Sequence, residues 1–118
     1  MAVQAETNWQ KAIELQPQYM PAQINLSWTL ATWPEGAARD GARALNLMEN
    51  LNRQVPNDPE ILRTLAAAYA ETSNFSEAII TAKRALAIAR TQSPGLAKEL
   101  EAEAALYQSN SPCRSFSN

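Results

Sequence analysis

The sequence predicts an all-α protein, an antiparallel stack of about six helices with no sheet. Three observations predict it. Alanine is the commonest residue, only three glycines occur in 118 residues, and β-branched and aromatic residues are sparse, a composition that favours helix. Seven prolines (Pro17, Pro21, Pro34, Pro56, Pro59, Pro94 and Pro112) fall between apolar-periodic segments or in their first turns, where a fixed φ and a missing N–H are tolerated. Between those prolines, apolar or small residues recur at three- and four-residue intervals, which places them on one helical face. A chain of this length has room for one domain and one core.

The elements follow in order. Ala5, Trp9, Ala12 and Ile13 predict a first helix, closed by Pro17. Pro21 to about Thr32 is the second, packing through Ala22, Leu26, Ser27 and Leu30. A link follows at Trp33-Pro34-Glu35-Gly36-Ala37, with Trp33 expected to pin it. The third helix carries Ala44, Met48 and Leu51 and ends before Pro56. The fourth starts at Pro59 and aligns Leu62, Leu65, Ala66 and Tyr69. Thr72-Ser73-Asn74-Phe75 is a short polar break before the fifth helix. There Ala78, Ala82, Ala85 and Leu86 repeat a small residue about every turn, so that a neighbouring backbone can come close. Ser93 is placed as an N-cap with Pro94 at the first helical position of the sixth helix. Leu96, Leu100, Ala104 and Tyr107 form its packing face, and Lys98, Glu99 and Glu103 its polar outer face. Residues 111–118 are expected to be a flexible tail.

The stretch Pro59 to Ala89 resembles one tetratricopeptide repeat, in which a large residue, Leu, a small residue and Tyr are followed by Ala, an aromatic and Pro. The spacing is that of the family, with nine residues from Tyr69 to Ala78 and seven from Ala78 to Ala85. The residues depart at five points. Leu62 stands where the family often has Trp, Ala66 and Ser73 where it often has Gly, Ala82 for the aromatic, and Arg90 for the closing Pro. The last change lets that helix run on. Upstream, Ala44, Met48 and Leu51 keep the four-then-three spacing of Ala78, Ala82 and Ala85, while Leu30 to Ala44 spans fourteen residues, a five-residue insertion. The resemblance implies a short right-handed α-solenoid of antiparallel helix pairs with a C-terminal capping helix. It divides the domain 1–110 into a half repeat 1–17, repeats 21–56 and 59–91, and the cap 94–109. Leu30-Ala31-Thr32, Arg39-Asp40-Gly41-Ala42, the segment Thr64 to Glu71, and Leu106-Tyr107 before Pro112 look like the C-terminal part of a bacterial-type array.

Chemistry is sparse. No histidine occurs, so Ser-His and Cys-His nucleophile pairs cannot be built. Glu99, Glu101 and Glu103 are the densest acids, but alternate helical residues point about 200° apart and do not converge on a metal. No Gly-rich phosphate cradle is present, and no cofactor or metal is expected. Cys113 is read as an incidental thiol beside Arg114. The net charge is -2 and the arginines are dispersed among acids, which disfavours nucleic acid as a partner. The N-terminus carries no signal-peptide pattern and no apolar run approaches about 20 residues, so no membrane partner and a cytoplasmic location are expected. The single cysteine suits a reducing compartment.

The resemblance implies a protein-interaction module without catalysis, binding a peptide or protein surface along the concave side of its first helices. The positions so carried over are Ile24, Asn25, Trp28 and Thr32 in one repeat and Glu60, Arg63, Thr64 and Glu71 in the next. Trp28 has two readings: a groove aromatic of hot-spot type, or a residue buried against a neighbouring helix. Arg63 likewise either offers its fork to a ligand carboxylate or pairs with Glu60 three residues away. An extended segment with an apolar side chain and a nearby acid fits the first reading of both. The lysines of the family groove that takes acidic C-terminal peptides are missing, so that ligand is not carried over. The alternative function is structural: the C-terminal fragment or cap of a longer repeat protein, or a non-catalytic accessory domain of an enzyme. Self-association is expected through the half repeat, whose Val3, Trp9 and Ile13 lack an in-repeat partner.

Overall fold

Helix starts in this chain are set by short polar side chains that take up free backbone N–H groups. In the computed structural model, which describes residues 20–34, 36 and 39–114, Asp40 accepts a bond from the Arg43 N–H and opens α2, Gly41–Gln54. Asp58 accepts from the N–H groups of Glu60 and Ile61 and, with Pro59 at the first position, opens α3, Pro59–Glu71. Asn74 does the same through Glu77 for α4, Phe75–Gln92. Ser93 occupies the cap position of α5, Pro94–Gln108, but its side chain makes no capping bond. The remaining helix, α1, is Met20–Thr32. No strand occurs among the described residues. The expected half repeat at 1–17, with Val3, Trp9 and Ile13, lies outside them.

The all-α class holds, and the stops have local causes. Helix α4 passes Arg90, where the family has its proline, and becomes the longest at 18 residues. Three turns put a non-glycine residue in the left-handed region: Asn57, Ser73 and Asn110, with φ of 65°, 65° and 58°. Asparagine tolerates that conformation through its short polar side chain; serine bears more of the strain. Ser73 is where the repeat pattern often has glycine, and its φ is the physical reason for that preference.

Packing runs α1 on α2, α2 on α3, α3 on α4 and α4 on α5, with α1 also lying beside α3. The contact residues are largely those the spacing selected. Ala44, Met48, Leu62, Ala66, Ala78, Ala82, Ala85 and Leu100 are fully buried. Alanine at five of these eight positions lets backbones approach closely, so each such contact is made by little more than a methyl group. Glycine serves the same end at Gly41. A Cβ there would sit 2.7 Å from Glu71 Cγ and 3.0 Å from Glu71 Cβ, so the start of α2 presses directly on the end of α3.

Two features stand apart from the expectations. Arg39 holds the link before α2 in a way the sequence did not announce: its Nη1 donates to the carbonyls of Trp33 and Pro34, both at 2.9 Å. The segment after α5 does not leave the body at Ser111. Cys113 is buried in the same cluster as Tyr107 and Ala104, and Arg114 forms an ion pair with Glu71 at 2.9 Å. Residues 115–118 lie outside the described part.

Candidate functional site

Because α1 and α3 lie side by side and α5 follows, one face of the stack is walled by three helices that start successive pairs. A hollow of about 260 Å³ opens on that face. Ile24, Asn25 and Trp28 line it from α1, Glu60, Arg63 and Thr64 from α3, and Glu99 from α5. Six of the eight residues expected there are therefore brought together by the fold. The spacing works because residues three and four apart share a helical face, and equivalent turns of α1 and α3 sit opposite one another.

Thr32 and Glu71 do not line the hollow. Thr32 is buried and its hydroxyl donates to the Trp28 carbonyl at 2.6 Å, closing the last turn of its own helix. Glu71 sits between Arg39, with 3.3 Å from Nε to Oε2, and Arg114, which reaches Oε1. It ties the link before α2 and the segment after α5 to the end of α3. Two guanidinium groups there also relieve the poor fit of a carboxylate with a helix C-terminus.

The two open readings come out differently: Trp28 is buried, as the second reading had it, whereas Arg63 takes neither expected role. Trp28 is 8% exposed, so most of the ring is core, while its remaining edge forms part of the hollow. The Arg63 guanidinium carbon lies 4.1 Å from the centroid of that ring, within cation–π range. The partner of Arg63 is neither a vacant position nor Glu60. It is Glu103, forty residues on. Arg63 Nε lies 3.0 and 3.1 Å from the two carboxylate oxygens, and Nη2 is 2.6 Å from Oε2. Nη1 lies 3.5 Å from Glu99 Oε2. This fork-on-fork geometry joins α3 to α5 and occupies the donors that a ligand carboxylate would need.

Glu103 was expected on the outer face of the capping helix and is instead buried. The sequence carries a signal for this. Leu96, Leu100, Glu103, Ala104 and Tyr107 all fall on one helical stripe, and every one of them is buried. The electrostatics follow from burial. Desolvation raises the Glu103 carboxyl above its usual range, opposed by the hydrogen bond and charge of Arg63, while Glu99 and Glu60 push in the same direction as burial. For Arg63, desolvation acts to lower the value, but the bond and charge of Glu103, with Glu99 and Glu60 behind it, raise it. Arg63 thus stays charged inside a ring of carboxylates.

Cys113 is not the exposed thiol that reactivity would require. Burial, then the charge of Glu103, pushes it up to about 12. Among the described residues no group of three or more His, Cys, Asp or Glu side chains is placed to hold a metal ion. No helix among them is long and apolar enough to cross a membrane.

A family model described as Tetratricopeptide repeat matches residues 37–106, more than half of the 118-residue chain, from the link before α2 into the last turns of α5. Searches of curated proteins and of solved structures each return no match. Repeats of this family generally mediate protein–protein interaction and are typically non-catalytic. With its helix pairs, its intact repeat spacing and this match, the chain belongs to the tetratricopeptide repeat family.

Proposed function

We propose that the chain is a protein-interaction module without catalysis of its own, and that the hollow between α1, α3 and α5 docks an extended peptide or a protein loop. One observation carries the reading. The hollow is shaped by three separate helices, and its lining is mostly polar, from Asn25, Glu60, Arg63, Thr64 and Glu99, with Ile24 and the edge of Trp28 as a small apolar part. Polar groups converging from separate helices beside a small apolar patch can fix the orientation of a docked segment. On this reading the repeats run 21–56 and 59–91 with a cap at 94–109, and the protein acts in the cytoplasm, where a buried free thiol persists. The half repeat at 1–17 is proposed to mediate self-association, which sedimentation of the full chain against concentration checks.

The docking test uses a variant that fills the hollow without touching the core. Asn25 is half-buried and lines the hollow, so Asn25→Tyr should retain helicity and melting midpoint. An array of extended peptides that bind the native chain should lose binding to this variant. Folded Asn25→Tyr protein that retains the same peptides at full strength contradicts the site.

A further inference from the structure

Charge at the hollow is left unbalanced toward open space, and the imbalance has a definite sign. Three carboxylates, Glu60, Glu99 and Glu103, surround one guanidinium, that of Arg63. Glu103 neutralises Arg63 through a bidentate pair whose side chains are only 9% and 19% exposed. Glu60 has no ion-pair partner among the described residues, and Glu99 holds only the outer nitrogen of Arg63, at 3.5 Å with 58% of its own side chain exposed. The hollow therefore presents two carboxylates to solvent, Glu60 from α3 and Glu99 from α5, while its one cation is already paired. A ligand carboxylate entering it would meet like charge and would have to displace Glu103 from a buried pair, leaving that acid stranded at a cost of several kcal/mol. The geometry therefore argues against an acid in the ligand.

We infer that the docked segment carries a lysine or arginine whose cationic head lies between Glu60 and Glu99, with an adjacent apolar side chain against Ile24 and the edge of Trp28. The inference rests on the docking reading above and narrows it to one ligand class. Complementary charge at the rim of such a site sets partner choice and encounter rate more than affinity. A long aliphatic stem ending in a cation suits it, since the stem can lie on the apolar patch while the head stays between carboxylates and water. Nucleic acid is disfavoured by the same charges.

The test is a fluorescence-anisotropy comparison of the full chain with three synthetic peptides of one extended apolar–polar sequence, differing only in a central lysine, glutamine or glutamate. The lysine peptide is expected to bind best, to weaken as ionic strength rises, and to lose roughly tenfold in affinity with Glu60→Gln/Glu99→Gln, as two half-exposed charge pairs would. Both positions are solvent-facing, and circular dichroism checks that the variant is folded. A second variant, Glu60→Lys/Glu99→Lys, should reverse the order and prefer the glutamate peptide. Binding that is lost with Asn25→Tyr yet indifferent to the central charge overturns the cationic ligand and leaves the docking site standing. Binding of the lysine peptide that survives Asn25→Tyr overturns both, because the contact then lies elsewhere on the surface. If none of the three binds the native chain, the inference falls, and the Asn25→Tyr array alone decides the docking reading.

Discussion

Two ion-pair clusters hold this molecule across long stretches of chain, and they are built with opposite arithmetic. At the hollow, one arginine serves several acids: Arg63 binds Glu103 and touches Glu99, with Glu60 nearby. At the other end of α3, one acid serves two arginines: Glu71 takes Arg39 and Arg114. The second cluster joins the link before α2 and the segment after α5 to a helix end, beside the close approach at Gly41. Its surplus of positive charge lies at the seam where these three segments meet, on side chains 17–33% exposed. The first leaves its surplus of negative charge beside an open space of about 260 Å³. The same chemistry is thus structural in one place and, in the function we propose, a basis for recognition in the other. What differs is whether the helices leave room beside it.

Substitutions can break this contrast from either side. The largest effect is expected at Trp28, which is both core and the surface on which Arg63 lies. Trp28→Ala should destabilise by about 3–5 kcal/mol in urea titration, in the range of large aromatic truncations. A small effect would mean that the ring is a groove ornament and not part of the body. At the seam, Gly41→Ala forces a methyl group against Glu71 and Thr72 and should cost about 1–3 kcal/mol. Ala78→Leu should cost about the same, since Ala78 has no exposed surface to yield.

The thiol provides a titration of the seam. Because burial raises Cys113 from an ordinary value near 9 to about 12, the folded state holds this proton more tightly than the unfolded chain. Its contribution is fully present below about pH 9 and is lost progressively as pH rises toward about 12. Stability of Cys113→Ala should therefore fall less steeply across that window than that of the native chain. Alkylation of Cys113 near neutral pH should be slow in the folded protein and fast in denaturant. The smallest effect is expected at Ser73, where glycine removes left-handed strain but adds freedom to the unfolded chain. Ser73→Gly should stabilise by about 0.5 kcal/mol, read as a small rise in the urea midpoint.

What was legible in the sequence was whatever is decided within one or two turns. Pro59 and Pro94 mark the first helical positions as the sequence indicates, whereas the caps Asp40, Asp58 and Asn74 were not singled out there and Ser93, the cap that was, makes no capping bond. The repeat spacing carried further, because it encodes how one helix faces the next, and it put six of eight expected residues around the hollow. The two failures, Thr32 and Glu71, are at the ends of their helices, where a residue is claimed by its own last turn or by an incoming loop. The pair Arg63–Glu103 was illegible in a stricter sense. Forty residues separate the partners, and either side chain has nearer opposite charges with which local reasoning would match it. Only the stacking of α5 on α4 brings Glu103 inward to α3.

The central claim is that the hollow's own cation is bound by the protein itself, so that none is left for a ligand. A double-mutant cycle with Arg63→Met and Glu103→Leu tests it most directly, by urea denaturation of the native chain, both single variants and the pair. Each single change should destabilise by about 3 kcal/mol, because it strands a largely buried charge, and the double variant should be more stable than the sum of the two by about 2 kcal/mol. Additivity within about 0.5 kcal/mol would contradict the account, because Arg63 and Glu103 would then act independently and Arg63 would be available to an incoming carboxylate.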